Sequence, residues 1–212
     1  MKKYLVIGNP IEHSLSPILH NFWIKKNNID ASYVKRKVNE RDLKNVISEV
    51  KKGTISGINV TVPFKKSVIP FLDELSNEAD ESQSVNTIYK EDEKIIGHNT
   101  DIGGFELGVK SINYNIVNKK IFILGAGGVA PSIILALKKM KVSKIFLSNR
   151  TKKKAIHLKK IYPGLEIIEW GEICDFDMII NATSIGLKEN EEIKIDYKKT
   201  GPNKLFYDVI YN

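Results

Sequence analysis

Residues 59–65 read NVTVPFK and bring an amide, a hydroxyl and a lysine together around a proline. Val60 and Val62 alternate with Asn59 and Thr61, so in a strand one face is apolar and the other carries the two polar groups. Pro63 ends such a strand and Lys65 follows within one turn. An ammonium there can stabilise developing negative charge or deliver a proton. The plainer alternative is a solvated first-turn lysine, which is how Lys66 reads. Ser14 and Ser16 place two hydroxyls two residues apart ahead of Pro17, a residue favoured at the start of a helix. Ser16 therefore reads as a helix N-cap. With Ser14 and the free helical N–H groups it also reads as a receptor for a carboxylate.

A second group of residues points to a nucleotide. Gly125-Ala126-Gly127-Gly128-Val129-Ala130 follows an apolar run, IFIL, and precedes a helical one. This is the G-x-G-x-x-[GA] pattern in the context it requires. Gly125 allows the tight turn, Gly127 lets the backbone approach a pyrophosphate, and Ala130 keeps the helix close to its strand. The next strand ends Ser148-Asn149-Arg150-Thr151-Lys152-Lys153-Lys154. An NAD-selective domain usually has an acid there for the ribose 2′-hydroxyl; this chain has none. It has instead one of its three arginines, at 36, 41 and 150. Thr151 reads as an N-cap, which leaves the lysines in a first turn where the helix dipole disfavours cations. A 2′-phosphate would relieve that conflict and give Arg150 a planar partner. NADP is the expected cofactor.

Composition sets the limits. The chain has 212 residues, 42% of them apolar and 27% charged, with a formal charge of +8. That is the make-up of a packed soluble protein. The basic excess is spread as lysine pairs on helix surfaces, without a basic stripe, interleaved aromatics or zinc spacing, so nucleic acid is not expected. The lone cysteine, Cys174, excludes an internal disulfide and fits a reducing, cytoplasmic setting. It reads as an inert, partly buried thiol. The apolar runs are too short or too broken by glycine for a leader or a membrane span. The four histidines show no metal-ligand spacing.

The elements that must hold these residues alternate between strand and helix. In the first half, KYLVIG and SYVKRKV read as strands, and PILHNFWIKKNN as a helix with Ile18 and Phe22 on one face. RDLKNVISEVKK reads as a helix with Leu43, Val46, Ile47 and Val50 on one stripe. NVTVP reads as a strand and FKKSVIPFLDEL as a helix with Pro70 as a kink, while residues 86–101 read as two short strands around a charged turn. In the second half, KKIFILG, KIFLSNR, EIIEW, DMIINAT and LFYDVI are strands, with helices over 129–140 and 151–162. The pattern calls for an α/β fold with a parallel sheet wrapped by helices. The domains divide at Asp101, into 1–101 and 102–212.

GNPIEHSLSP, NVTVPFK, VNT, NTD, GAGGVA, NRT, NATS and YDVIY occur in the order and approximate spacing of the shikimate dehydrogenase family, which the chain resembles along its whole length. The resemblance implies an N-terminal α/β substrate domain facing a doubly wound Rossmann domain that binds NADP. It implies NADPH-dependent, reversible reduction of 3-dehydroshikimate to shikimate in aromatic amino acid biosynthesis. Ser14 and Ser16 would bind the substrate carboxylate, and Asn59, Thr61, Asn86, Asp101 and Tyr211 its hydroxyls. Lys65 and Asp101 would be the catalytic pair. Gly125, Ala126, Gly127, Gly128, Val129, Asn149, Arg150, Thr151, Lys152, Lys153, Lys154 and Val209 would hold the cofactor. The partners implied are small molecules, without nucleic acid, membrane or metal, and with a homodimer left open.

The chain departs from the family pattern at His98 and Ile102, where an acid and a glycine are usual, and at Asn77. The family also continues past YDVIYN into helices that cover the nicotinamide and pack back on the first domain. The Rossmann domain is accordingly expected to be incomplete at its C-terminal end, with apolar surface uncovered. A quinate/shikimate dehydrogenase using NAD and a catalytically impaired ligand-binding relative are the alternatives.

Overall fold

The computed structural model describes residues 1–188 and 190–210. The chain forms two compact units, Met1–Asp101 and Ile102–Asn212. In the first, β1 (Lys2–Gly8), β2 (Ala31–Lys37), β3 (Gly57–Val60), β4 (Glu74–Leu75), β5 (Thr87–Glu91) and β6 (Lys94–His98) make one sheet in the order β2-β1-β3-β5-β6-β4. β1 runs parallel to β2 and β3, while β5 is antiparallel to β3 and β6. The helices are α1 (Ser16–Lys26), α2 (Leu43–Lys51) and α3 (Asn77–Ser82). The predicted stripe of α2, Leu43, Val46, Ile47 and Val50, is buried against Leu5, Ile7, Ile58, Val60, Ile88 and Ile95. Alternation along β1 sends Val6 to the other face, where it clusters with Ile11 and Tyr33.

Several local expectations are overturned. Ile18 and Phe22 of α1 are 72% and 57% exposed, and no residue of that helix is buried. α1 meets the sheet through Ile24, which packs on the cluster of Val6, Ile11 and Tyr33, and through polar and aromatic contacts with β2. Asn21 donates to the Tyr33 carbonyl at 2.7 Å and accepts from its N–H at 3.0 Å, and His20 stacks on the Tyr33 ring. The strand in NVTVP stops at Val60, so Val60 is buried and Val62 is 58% exposed. Thr61 N–H donates to Ile7 O and Asn9 N–H to Val62 O, which turns the chain across the end of β1. FKKSVIPFLDEL is not an α-helix: turns lead to a 3-10 turn over Ile69–Phe71 and then to β4. Asp73 N–H donates to Ile95 O and Ser76 N–H to Gly97 O, so the β6 edge captures a backbone that Pro70 prevents from closing helical bonds.

In the second unit, β7 (Lys120–Leu124), β8 (Lys144–Ser148), β9 (Leu165–Ile167), β10 (Met178–Asn181) and β11 (Leu205–Asp208) form a parallel sheet in the order β11-β10-β7-β8-β9. The chain starts in the middle, winds to one edge and then to the other. This is the doubly wound order, with its switch point between β7 and β10. Ile121 to Leu124 are at most 1% exposed, as a strand buried on both faces requires. One face is covered by α4 (Asp101–Ser111), α5 (Ala130–Lys139) and α6 (Lys152–Ile161). On the other face, Phe122, Leu124, Phe146, Phe176 and Ile179 lie beneath irregular segments carrying Ile168, Ile173, Ile193 and Ile195. Phe206 of β11 is 55% exposed. Cys174 is half-buried beside this cluster, and burial pushes its thiol up to about 11, so it stays protonated near neutrality.

Truncating Ile123 to Ala in the middle of β7 is expected to lower stability by about 2–5 kcal/mol, the cost of a cavity in a rigid core. Urea unfolding of the two proteins measures it, and a change well below that range would mean the sheet relaxes around the gap.

Candidate active site

The ends of β3, β5 and β6 gather the polar residues of the first unit. Asn86 immediately precedes β5. Its N–H donates to His98 O, and its carbonyl accepts from Val60 N–H, so both neighbouring strands position it. Asn99 is buried, donates to Ser84 O at 2.8 Å and accepts from Asp101 N–H at 2.9 Å. Thr100 N–H donates to Asn86 Oδ1 at 3.0 Å. The loop after β6 is therefore folded back on itself, and it delivers the Asp101 carboxylate to Lys65.

Lys65 Nζ donates to Asp101 Oδ2 at 2.6 Å, with the two side chains 13% and 22% exposed. Asn86 Nδ2 donates to Asp101 Oδ1 at 2.8 Å. The Asp101 carboxylate thus faces Lys65 and Asn86 and does not cap α4, whose first N–H is met by Asn99 instead. Asn59 donates to Asn86 O at 3.2 Å and to Thr87 Oγ1 at 3.1 Å, and accepts from the Tyr33 hydroxyl at 2.7 Å. Thr87 in turn donates to Asn86 Oδ1 at 3.0 Å. Four of the residues singled out in the sequence, Asn59, Lys65, Asn86 and Asp101, thus join one hydrogen-bonded group. Tyr33, Thr87, Asn99 and Thr100 belong to it as well. The last three lie inside VNT and NTD and could have been read from those motifs; Tyr33 lies in no motif.

Ser14 and Ser16 are in the turn after β1. Ser16 is not the N-cap but the first residue of α1; Leu15 holds the cap position with helical angles (φ −85°, ψ −5°) and no side chain caps the helix. The start is displaced because the backbone is already helical at Leu15. Ser14 Oγ accepts from Ser16 N–H at 3.4 Å. Among the described residues the Ser16 and Thr61 hydroxyls have no partner, which leaves them available to a ligand. Thr61 packs against Gly8, where an added Cβ would stand 2.7 Å from Thr61 Cγ2. Tyr211 lies outside the described residues.

The glycine loop of the second unit follows β7. Gly125 has φ +109°, and a Cβ there would meet Ala182 O at 2.7 Å, so the turn and the adjoining NAT segment both require glycine. At Gly127 the nearest atom to such a Cβ is 3.9 Å away. Among the described residues nothing stands closer on that side, as close approach by a ligand would require. Gly128 and Val129 lead into α5, Val129 at its cap position. Asn149 clamps the loop, accepting from Ala126 N–H and donating to Thr151 O, both at 2.9 Å. Thr151 does stand at the α6 cap position, but its side chain caps nothing. Lys152 pairs with Glu169. Arg150, Lys153 and Lys154 are exposed, and among the described residues no acid pairs with them. These cations at a helix N-terminus beside a glycine turn fit an anionic dinucleotide. Val209 is half-buried, its N–H donating to Asn181 O at 3.2 Å.

Gly125→Ala and Gly127→Ala should behave oppositely. The first is expected to lower the melting temperature, because its methyl meets backbone in a left-handed turn. The second should leave melting within a degree or two while weakening NADP binding at least tenfold. Calorimetry of binding and thermal melts of both variants make the comparison. Equal effects of the two substitutions on melting would remove the ligand argument for Gly127.

Comparison with known proteins bears on both units. Residues 6–88 match the family model described as the shikimate dehydrogenase substrate binding domain, and residues 106–208 match that of shikimate / quinate 5-dehydrogenase. The shikimate dehydrogenase (NADP(+)) of Pelagibacter ubique is 63% identical over 211 residues, covering 100% of this chain and 80% of the relative. A crystal structure of a shikimate dehydrogenase in complex with NADP+ superposes with a TM-score of 0.91 at 35% identity, over 100% of this chain and 77% of that one. The Listeria monocytogenes shikimate 5-dehydrogenase, in complex with shikimate and NAD, gives 0.88 at 28% identity, over 100% and 79%.

Proposed function

The chain belongs to the shikimate dehydrogenase family, and from that premise we propose that it interconverts 3-dehydroshikimate and shikimate with NADP as cofactor. The observation that carries the reading is the Lys65–Asp101 pair, 2.6 Å apart and oriented by Asn86. The cofactor, when bound, supplies or accepts the hydride. The chain's own residues handle the charge and the proton.

As the C3 carbonyl is reduced, negative charge grows on its oxygen. The Lys65 ammonium stabilises that charge and donates the proton, so ketone, hydride and proton give the alcohol. In the reverse direction the neutral amine takes the hydroxyl proton. Asp101 holds Nζ in place and keeps lone pairs for a neighbouring substrate hydroxyl. Ser14, Ser16 and Thr61 offer hydroxyls from the adjoining turns, the two serines toward the substrate carboxylate. Asn59 and Asn86 bind substrate hydroxyls, as does Tyr211 by the family pattern. Residues 1–101 form the substrate and catalytic domain, and residues 102–212 the cofactor domain. In the latter, Gly125 to Val129 approach the pyrophosphate. Asn149, Arg150, Thr151, Lys152, Lys153 and Lys154 surround the adenosine 2′-phosphate, and Val209 lies toward the nicotinamide end.

The test is to incubate the chain with shikimate and either NADP or NAD and to follow reduced nicotinamide by absorbance. Turnover with preference for NADP is expected; preference for NAD would overturn the role given to Arg150. Lys65→Ala should lower kcat by about 10²–10⁴ with shikimate binding largely kept, and a near-normal rate would remove Lys65 from the chemistry. Arg150→Ala should raise KM for NADP about tenfold or more, the size of a charged hydrogen bond, and leave KM for NAD unchanged.

A further inference from the structure

Tyr33 belongs to none of the chemical motifs, yet it is held on every side. It lies in the middle of β2 and is 4% exposed. Asn21 bonds both its N–H and its carbonyl. His20 stacks on its ring at 4.2 Å with 12° between the planes. Burial pushes the His20 imidazole below its ordinary value, so the stacked ring is neutral at pH 7. All of this aims one group, the phenolic hydroxyl, at Asn59 Oδ1, 2.7 Å away.

The donor inventory then runs in one direction. An amide has two N–H donors and an oxygen with two lone pairs. Asn59 spends both donors, on Asn86 O and Thr87 Oγ1, and Tyr33 occupies one lone pair of its oxygen. One acceptor position is left, so Asn59 can accept from a ligand hydroxyl and cannot donate to one. Thr87, accepting from Asn59, has its own proton free for Asn86 Oδ1. With its oxygen engaged there and by Thr100, Asn86 turns its Nδ2 to Asp101 and Thr100. Asp101 Oδ2 receives Lys65. Asn86 thereby ties the relay to the Asp101–Lys65 pair.

We propose that Tyr33 is a positioning residue for the reaction: its hydroxyl holds the Asn59 oxygen and so steadies the relay Asn59–Thr87–Asn86 that orients the Asp101–Lys65 pair. The inference rests on the function proposed above, which it extends beyond the motif residues. Hydrogen bonds in such a chain polarise one another, so loss at one end is felt at the other.

Tyr33→Phe keeps the ring, the stack on His20 and the backbone bridges. It is expected to lower kcat/KM for shikimate about tenfold, one neutral hydrogen bond transmitted in full, with KM for NADP unchanged and melting lowered by only a few degrees. A residue that merely stabilises the fold would not separate the two substrates in this way. The double variant Tyr33→Phe/Asn59→Ala should be no slower than Asn59→Ala alone, because the two act in series. Losses that multiply, or a Tyr33→Phe enzyme within twofold of the parent, would overturn the proposal. Should Tyr33→Phe fail to fold, Thr87→Val breaks the relay at its middle, and an unchanged rate there would overturn it equally. Should the parent not oxidise shikimate at all, the function reading fails by itself. The relay is then decided by NMR of the Asn59 side-chain amide, whose proton shifts must change in Tyr33→Phe; unchanged shifts sink it.

Discussion

A lysine and an aspartate 36 positions apart in sequence meet at 2.6 Å in the first unit, and the polar order around them follows from that pair. Charges that are only 13% and 22% exposed need partners, because desolvation penalises each alone. The pair supplies each with the other, and Asn86 supplies the second carboxylate oxygen. The backbone is arranged to the same end. Val85 N–H donates to Lys65 O, and Asn86 is strung between Val60 and His98. A loop that served only to connect β6 to α4 would not need a buried asparagine, Asn99, bonding in two directions. It needs one because Asp101 has to arrive at a stated place.

The second unit solves a different problem, how to bring backbone close to an anion. Its sheet order opens a switch point between β7 and β10, and the glycine turn stands there against Ala182. Gly125 and Gly127 look alike in the motif but are glycine for different reasons. The first cannot carry a side chain because Ala182 O occupies the place; the second faces open space that suits a phosphate. Asn149 links this loop to the segment after β8 that carries Arg150, so one side chain fixes the glycine turn relative to the start of α6.

Legibility differed with the kind of signal. α2 was readable because four apolar residues at helical spacing meet four strands that want them. β7 was readable because an unbroken apolar run ending in glycine has few other uses. Misreadings arose where local pattern competed with tertiary demand. Val62 continues the alternation of NVTVP, but the turn across the end of β1 takes it to solvent. Residues 64–75 have helical spacing, but β6 offers their backbone better partners. Ile18 and Phe22 of α1 lie exposed because the helix turns His20, Asn21 and Ile24 to β2 instead.

The sequence by itself determined the family, the α/β alternation, the glycine turn and the residues with useful chemistry, because these depend on residue type and short spacing. Only the tertiary structure decided how those groups divide their hydrogen bonds. NVTVPFK shows the difference. Its order of residues announced an amide, a hydroxyl and a lysine near a strand end. It could not say that Asn59 is held by Tyr33, that Thr61 keeps its hydroxyl free, or that Lys65 is paired with Asp101. The first and the last depend on a partner brought in from another element, 26 residues before Asn59 or 36 after Lys65. No local pattern encodes a distance of that kind.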